Sequence, residues 1–345
     1  MRIFKSVQLS HNHGESMSSE PLGEHEIIRI IQTRLTPMPD MVVPFGDDVS
    51  ALSIEGVQTV VLKTDMLVAK TDMPRGMSLF AVARKAVVMN VSDFASKGVM
   101  PATVLVAVGL PKALATEAAI AEIAEGLDAG AREYGAYVVG GDTNETEDLI
   151  IGVSLFGTTR NKPALRSGAR VGDILAVTGL FGKSSAGLRL LLGGGETSEA
   201  LGEVLVDAVY NPRARLREGL VLCGGCVSAS IDSSDGLAWS IYELAQQSGV
   251  GFLLDCLPVA VEAKEFAVQN GIDPMELVFY GGEEYELVLT VSPSKWVEAQ
   301  ALVGAVGGCL IPIGRATDDR RIVFVLDGKE VLVEPRGWEH FKSWV

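Results

Sequence analysis

Aspartates held by small residues at the ends of apolar runs are the residues of this chain best suited to chemistry. The turn Gly140-Gly141-Asp142-Thr143 lies between two apolar runs, 136–139 and 149–156, that are typical of strands. Paired glycines let a backbone approach a ligand closely, and the carboxylate after them is presented at a strand end. The same design recurs at Phe45-Gly46-Asp47-Asp48, Lys63-Thr64-Asp65, Asn90-Val91-Ser92-Asp93 and Ile231-Asp232-Ser233-Ser234-Asp235-Gly236. We expect the fold to gather these carboxylates around magnesium ions and a nucleotide.

Each of these segments also has a simpler structural interpretation. The adjacent acids Asp47 and Asp48 repel each other, so a buried pair needs cations nearby, whereas an exposed pair needs none. Thr64 and Asp65 offer neighbouring oxygens to a hard cation, although an Asx or Ser/Thr turn uses the same residue types. Asn90 and Asp93 are three residues apart and therefore share one helical face, where they serve either a site or a cap.

The inventory of reactive side chains indicates metal-assisted chemistry without a side-chain nucleophile or general base. The four histidines are His11, His13, His25 and His340, a poor supply for a zinc site or a Ser/His/Asp triad. Metal-assisted phosphoryl transfer suits many aspartates, because catalysis there is mainly positioning and charge neutralisation. Magnesium prefers oxygen ligands and keeps several waters, so one or two carboxylates per ion suffice. Calcium binding or a structural ion site would use the same residues.

Composition bounds the class of protein. The chain has 345 residues, 48% of them hydrophobic, and a formal net charge of −15, which indicates two globular domains or one large one. The negative charge disfavours nucleic acids and anionic membranes as partners. Four cysteines at this length predict buried free thiols rather than a disulfide scaffold. Without an 18-residue apolar run or a signal-peptide core, we expect a cytoplasmic protein with no membrane span.

The predicted elements place the acids at strand ends and on one helix. We predict a polar extension over 1–23, an N-terminal domain over 24–160 and a C-terminal domain over 161–345. The predicted helices cover 24–35, 78–98, 116–134, 184–192 and 237–247, and the predicted strands cover 57–62, 103–110, 174–178, 228–231 and 287–291. Two hairpins are expected, over 138–157 and 322–333. The segment Gly179–Ser184 ends in Gly-Lys-Ser, but it has two residues between its glycines where a Walker loop has four.

Taken together and in order, seven motifs resemble those of the thiamine-monophosphate kinase family. They are Phe-Gly-Asp-Asp at 45–48, Thr-Asp-Met-Leu-Val at 64–68, Asn-Val-Ser-Asp-Phe-Ala at 90–95, Gly-Gly-Asp-Thr at 140–143, Arg-Ser-Gly-Ala at 166–169, Asp-Ser-Ser-Asp-Gly-Leu at 232–237 and Gly-Gly-Glu-Glu-Tyr-Glu at 281–286. The resemblance covers roughly residues 24–342. It implies an α/β (α+β) protein with a two-domain aminoimidazole-ribonucleotide synthetase-like fold. The N-terminal domain would hold a mixed sheet with helices, bind ATP and Mg²⁺, and form a homodimer.

The resemblance also implies an activity and a set of site residues. Members transfer the γ-phosphoryl group of ATP directly onto thiamine monophosphate, giving thiamine diphosphate, the last step in making that cofactor. The implied magnesium ligands are Asp47, Asp48, Thr64, Asp65, Asp93, Asp142, Asp232 and Asp235. The implied nucleotide contacts are Gly141, Asp142, Arg166 and Ser234, and the implied substrate contacts are Asp72, Glu283 and Trp338.

Three positions depart from the family pattern, and two other functions stay open. Lys63 stands where the family often has a serine beside one ion, Asp72 replaces a frequent histidine, and Glu284 replaces a frequent aspartate. The alternatives are an aminoimidazole-ribonucleotide synthetase-like ATP-dependent enzyme and a non-catalytic nucleotide- or metal-binding protein. ATP turnover with defined substrates separates the three.

Overall fold

The computed structural model of the protein describes residues 28, 38–43, 46–54 and 59–341. The predicted extension 1–23 and most of the predicted helix 24–35 therefore lie outside the described residues. The elements below all belong to the unit Pro37–Trp338. None of the described helices has the length and apolar character needed to cross a membrane.

The first sheet has six strands. They are β1 (Met41–Val43), β2 (Ser50–Ser53), β3 (Thr59–Val68), β4 (Met100–Leu110), β5 (Tyr137–Glu145) and β6 (Ile150–Thr159). Their order across the sheet is β1-β2-β3-β6-β4-β5, and β4 and β5 run parallel. The residues between β4 and β5 include a long helix, and such a helical crossover is the usual way to join parallel neighbours.

This order corrects the predicted hairpin over 138–157. Strands β5 and β6 are not neighbours, because β4 lies between them and pairs with both. Gly140, Gly141 and Asp142 are consequently part of the extended strand β5 rather than of a turn. The prediction is wrong because a short connection between two apolar runs does not require that they pair. The crossover before β5 places this strand on the outer side of β4.

Among residues 38–160, as far as the structure describes them, there are three α-helices, and one of them is almost wholly buried. They are α1 (Ala69–Asp72), α2 (Leu79–Lys97) and α3 (Glu117–Glu133), and a 3₁₀ turn spans Lys112–Leu114. The Ser78 hydroxyl accepts a hydrogen bond from the Ala81 N–H, and Gly98 ends α2 in the left-handed conformation at φ 67°. Sixteen of the nineteen residues of α2 are buried. Both long helices confirm the sequence prediction.

The second sheet has seven strands, flanked by helices. The strands are β7 (Ile174–Val177), β8 (Val227–Asp232), β9 (Gly251–Leu254), β10 (Leu287–Val291), β11 (Ile311–Thr317), β12 (Ile322–Leu326) and β13 (Lys329–Leu332), in the order β13-β12-β9-β11-β7-β10-β8. The helices are α4 (Lys183–Leu191), α5 (Glu199–Tyr210), α6 (Leu216–Leu222), α7 (Leu237–Ser248), α8 (Val261–Asn270), α9 (Pro274–Phe279) and α10 (Trp296–Ala305), with a 3₁₀ turn at Pro293–Lys295. The hairpin of β12 and β13 is as predicted.

One hydrophobic core joins the two sheets. It contains residues of the first sheet and α2 together with Leu216 and Leu222 of α6 and Leu287 and Leu289 of β10. Helix α2 is thus enclosed between the first sheet and the second domain, which explains why it is buried on nearly all sides. The predicted fold class is confirmed, with a mixed sheet and helices in the N-terminal domain and an α/β C-terminal domain, whose sheet also proves to be mixed. The boundary near residue 160 stays a prediction.

Candidate functional site

Three buried aspartates from three elements meet where the two domains join. Asp48 precedes β2, Asp93 lies in the last two turns of α2, and Asp232 ends β8. Each offers a carboxylate oxygen, and these oxygens lie within 4.8 Å of one another. The folding of the chain, and not sequence proximity, brings them together, because the buried helix α2 carries Asp93 to the edge of the second sheet.

Burial disfavours the negative charges of the clustered aspartates. Burial raises the pKa of Asp93 well above its usual range, against the opposing effect of the Lys63 ammonium. Burial also raises the pKa of Asp232 to about 6, and the Asp48 carboxylate reinforces this shift. Burial acts in the same direction on Asp48, but the charges of Arg166 and Lys97 outweigh it and hold its pKa below the usual range. A bound cation would relieve the remaining repulsion.

Two cations of the chain hold Asp47 and Asp48. Lys97 is fully buried, and its Nζ lies 2.6 Å from Asp47 Oδ1 and 2.8 Å from Asp48 Oδ2. Arg166 donates from Nε to Asp48 Oδ1 at 2.5 Å and from its backbone N–H to Asp47 Oδ2 at 3.0 Å. It also pairs with Glu243 on α7 at 3.2 Å. The repulsion between adjacent acids that the sequence predicted is therefore offset by a lysine and an arginine.

A third cation, Lys63, lies between two of the other acids. Its Nζ is 2.9 Å from Asp93 Oδ2 and 3.2 Å from Asp65 Oδ2. Lys63 and Asp65 both project from β3 toward α2, since alternate residues of a strand share a face. Although burial disfavours the charged form, Asp93 and Asp65 raise the pKa of Lys63, so its ammonium stays charged. Positive charge is thus already present between Asp65 and Asp93.

The donor set around the cluster fits a hydrated magnesium ion. Asn90 Oδ1, one helical turn before Asp93, and Ser233 Oγ, next to Asp232, are buried and have no hydrogen-bond partner among the residues that the structure describes. Unpaired buried oxygens are costly, and waters around a bound ion would satisfy them. Three carboxylates and such waters are the ligands that magnesium prefers.

Two of the expected ligands lie on the opposite face of the first sheet. Thr64 points away from α2, and its hydroxyl donates to the Val153 carbonyl oxygen and accepts from Ser154 Oγ. Asp142 on β5 is exposed, and with Gly141 and Thr64 it lines a shallow depression on this outer face. Within one chain the structure therefore does not bring Thr64 and Asp142 to the cluster of Asp48, Asp93 and Asp232.

The expected contacts of the second domain are joined by backbone hydrogen bonds. The Glu283 N–H donates to the Ser234 carbonyl oxygen at 2.6 Å, and the Trp338 N–H donates to the Asp235 carbonyl oxygen at 2.9 Å. Ser234 is exposed and Asp235 is half-buried, so both side chains are accessible beside the buried Asp232. The loop after β8, the loop before β10 and the segment at Trp338 thus form one wall of the site.

Glu284 has a structural role beside that wall. Its carboxylate accepts hydrogen bonds from the Gly182 N–H at 2.5 Å and the Ser184 N–H at 3.3 Å at the start of α4. Burial raises the pKa of Glu284 to about 7. The loop that ends in Gly-Lys-Ser uses its backbone donors to hold this side chain. Those donors are consequently occupied from within the chain.

Sequence reasoning missed Lys85 and Lys97, two buried cations on α2. Lys85 Nζ lies 2.5 Å from Glu283 Oε1, and Lys97 pairs with Asp47 and Asp48. Lys85 lies eight residues before Asp93 and Lys97 lies four residues after it, so all three share one face of the helix. Charged residues at this spacing in an otherwise apolar helix are a sequence signal from which the two lysines could be predicted to belong to the site. Of the cysteines, Cys223 and Cys226 are buried free thiols as predicted, whereas Cys309 is exposed.

Comparison with known proteins identifies the family. Residues 46–159 match the AIR synthase related protein, N-terminal domain, and residues 170–327 match the C-terminal domain of the same family. The thiamine-monophosphate kinase of Nitrosopumilus maritimus is 34% identical over 321 residues, covering 93% of this chain and 99% of that protein. That of Aquifex aeolicus is 33% identical over 327 residues, covering 94% and 100%.

A solved structure agrees with the sequence relatives. The structure of AaThiL complexed with AMPPCP and TMP is similar with a TM-score of 0.82 and 31% identity, over 95% of this chain and 100% of that one. Relatives above 30% identity along nearly the whole length of both chains, and two matched domains in the same order, lead to one conclusion. This chain belongs to the thiamine-monophosphate kinase family.

Proposed function

We propose that this protein transfers the γ-phosphoryl group of ATP onto thiamine monophosphate, giving thiamine diphosphate and ADP. The observation that carries the proposal is the similarity, over 95% of this chain, to a structure complexed with AMPPCP and TMP. AMPPCP is an analogue of ATP, so that complex pairs a nucleotide with the phosphate acceptor. The buried carboxylates and cations at the junction of the two domains are the chemistry that such a transfer requires.

The transfer is a direct in-line displacement. A phosphate oxygen of thiamine monophosphate bonds to the γ-phosphorus, the bond from that phosphorus to the β,γ-bridging oxygen breaks, and ADP leaves with the electron pair. The attacking oxygen is already anionic near neutral pH, so no side chain has to act as a strong base. Arg166 suits a phosphate because its guanidinium donates in a planar fork. The Lys63 ammonium adds positive charge beside Asp93.

The acids of the site would hold magnesium. Asp48, Asp93 and Asp232 form the central ligand set. Asp47 and Asp65 are connected to it through Lys97 and Lys63, and Asp235 follows Asp232 in the loop after β8. When bound, magnesium would offset the repulsion between the two anionic substrates. Lys97 and Arg166 keep Asp48 ionised at neutral pH, which is the form that binds a cation.

The remaining contacts divide between nucleotide and substrate. We assign Arg166 and Ser234 to ATP, and Asp72, Glu283 and Trp338 to thiamine monophosphate. The carboxylates of Asp72 and Glu283 complement the cationic thiazolium and the amino group of the aminopyrimidine, and Trp338 can stack on a ring. Ser234 and Glu283 are linked through the backbone, so the two ligands would lie side by side.

A homodimer formed through the first domain would cover the outer face of the first sheet. Met66 is 60% exposed and Leu105 is 53% exposed, and Leu62 and Phe156 are exposed beside them. All nine residues of β5 are exposed, and β5 is the edge strand of the sheet among the residues that the structure describes. Contiguous apolar faces and open strand edges of this kind are typical of interfaces. This surface also carries Thr64, Gly141 and Asp142, so these expected metal and nucleotide contacts would lie at that interface.

Product analysis tests the proposed function. The purified protein is incubated with ATP and magnesium, and with thiamine monophosphate, formylglycinamidine ribonucleotide or no acceptor. We expect thiamine diphosphate and ADP in equal amounts with thiamine monophosphate alone. ADP formed only with the purine precursor would favour the ring-closing synthetase, and no ATP turnover with any acceptor would favour a non-catalytic binding protein.

A further inference from the structure

Lys85 is a fully buried cation that has no role in the proposed phosphoryl transfer. It lies in the middle of α2, where an ammonium without partners would be strongly unfavourable. Its Nζ lies 2.5 Å from Glu283 Oε1 and donates to the main-chain oxygen of Asp72 at 3.1 Å. Asp72 ends α1 in the first domain, and Glu283 precedes β10 in the second. One side chain therefore connects two assigned substrate contacts from different domains.

The backbone around Glu283 is held in an uncommon conformation. Glu283 and Tyr285 have φ values of 64° and 53°, in the left-handed region that side chains disfavour. The Glu283 N–H donates to the Ser234 carbonyl oxygen, and the Ser184 hydroxyl donates to the Gly282 carbonyl oxygen at 2.7 Å. Strain of this kind persists where the surroundings over-determine the backbone, and it is concentrated at functional sites. With the backbone fixed, Lys85 determines the direction of the Glu283 side chain.

Asp72 is held from two sides. Its Oδ2 accepts a hydrogen bond from the Val68 N–H at 2.8 Å, which closes the short helix α1 on itself. Its carbonyl oxygen accepts from Lys85. Lys85 thus fixes the position of the segment that presents the Asp72 carboxylate, and it does so without contacting that carboxylate.

We infer that Lys85 is a positioning residue for thiamine monophosphate, linking Asp72 to Glu283 across the two domains and orienting the Glu283 carboxylate toward the substrate. This inference rests on the proposed function, in which both acids contact that substrate. The Glu283 side chain is 26% exposed, so part of its carboxylate stays accessible while Lys85 holds one oxygen. Because Lys85 offsets the charge of Glu283, this acid acts as an oriented hydrogen-bond acceptor.

Steady-state kinetics of Lys85→Met tests the inference. We expect the KM for thiamine monophosphate to rise at least about tenfold and the KM for ATP to stay within about twofold. Arg84→Met is the matched control, because Arg84 is the adjacent buried cation of α2 and pairs with Glu133 on α3 at 2.7 Å. It loses a similar ion pair away from the site, so both KM values should stay near those of the wild type.

A double-mutant cycle with Glu283→Ala separates positioning from general destabilisation. If Lys85 acts through Glu283, Lys85→Met adds little to the KM for thiamine monophosphate once Glu283 is alanine. The double variant also removes both charges, so it keeps the test open if Lys85→Met alone unfolds. Three results would each overturn the inference. They are effects of the two substitutions on the KM for thiamine monophosphate that multiply in the double variant, equal rises in the KM values for ATP and thiamine monophosphate in Lys85→Met, and an unchanged KM for thiamine monophosphate in Lys85→Met. A wild type that does not phosphorylate thiamine monophosphate contradicts the proposed function instead.

Discussion

At the scale of single residues, the proposed metal site depends on the carboxylates of Asp48, Asp93 and Asp232. Asp93 is central because its oxygens face both the other two acids and Lys63. Asp93→Asn keeps the shape of the side chain and removes its charge, so we expect kcat to fall by at least about a hundredfold. Asp319→Asn, at an exposed turn, is the control and should keep full activity. Near-normal turnover of a folded Asp93→Asn protein would refute the metal-site assignment.

Lys63 provides a second prediction at this scale. Its ammonium lies between Asp65 and Asp93, where it supplies positive charge that a metal ion would otherwise supply. Removing it in Lys63→Ser leaves both carboxylates without that partner, so we expect about one more Mn²⁺ to bind per chain. Electron paramagnetic resonance titration with Mn²⁺ measures this number directly. Lys112→Ser, at an exposed lysine, is the control. An unchanged Mn²⁺ count in Lys63→Ser would show that Lys63 occupies no cation position.

The site residues divide clearly into those that sequence predicts and those that it does not. Asp48, Asp93 and Asp232 are recognisable because small residues flank them at the ends of apolar runs. Lys85 and Lys97 were overlooked because a lysine in a helix ordinarily reaches solvent. Only the enclosure of α2 between two domains makes these lysines internal, and that enclosure depends on tertiary packing.

At the scale of elements, the contact between α2 and α3 depends on a glycine. A Cβ at Gly126 would lie 2.3 Å from the Phe80 carbonyl oxygen, so only glycine allows the two helices to approach this closely. We expect Gly126→Val to lower the free energy of unfolding by at least about 2 kcal/mol, as measured by denaturant titration. Gly304→Val is the matched control, since Gly304 lies on α10 with no atom near its would-be Cβ. A Gly126→Val protein as stable as the control variant would contradict the close packing.

Glu284 accepts hydrogen bonds from the start of α4, and its titration makes the free energy of unfolding depend on pH. Its pKa of about 7 in the folded state lies above the usual value of 4.5, so the folded state binds this proton more tightly than the unfolded state. The resulting stabilisation is complete below about pH 4.5, is lost as the pH rises through 7, and amounts to at most about 3 kcal/mol. We expect Glu284→Gln to remove this part of the pH dependence in unfolding experiments.

The comparison between wild type and variant isolates Glu284 from the other titrating groups. The difference in unfolding free energy between wild type and Glu284→Gln should change between pH 4.5 and 7 and level off outside that range. Glu298→Gln, at a more exposed glutamate on α10, is the control for removing one carboxylate from the surface. A difference for Glu284→Gln that is independent of pH would contradict the raised pKa.

At the scale of the whole molecule, the outer face of the first sheet predicts assembly. Leu105 is an exposed apolar residue of this face, so Leu105→Asp places a charge on the apolar surface. We expect the wild type to be a dimer by light scattering and Leu105→Asp to be a monomer with reduced kinase activity, because Thr64 and Asp142 share this face. Val261→Asp, at an exposed valine elsewhere, should leave the dimer intact. A monomeric wild type with full activity would rule out the dimer proposal.

The fold as a whole was predictable in class but not in strand order. Apolar periodicity predicted α2, α3 and the hairpin of β12 and β13, because these elements satisfy their pattern locally. The placement of β4 between β5 and β6 depends on the crossover through α3, which no local pattern reports. That strand order determines that Asp142 lies on the exposed outer face of the first sheet. The outer-face position of this predicted ligand therefore became visible only in the structure.

Isotope labelling is the most decisive test of whether the γ-phosphoryl group of ATP is transferred to thiamine monophosphate. ATP carrying ¹⁸O in the non-bridging positions of its γ-phosphoryl group is supplied with magnesium and thiamine monophosphate, and the thiamine diphosphate formed is analysed by mass spectrometry. We expect the terminal phosphoryl group of the product to retain the three labelled oxygens and ADP to be unlabelled at its non-bridging oxygens. Thiamine diphosphate without the label, or release of labelled inorganic phosphate in its place, would contradict the proposed transfer.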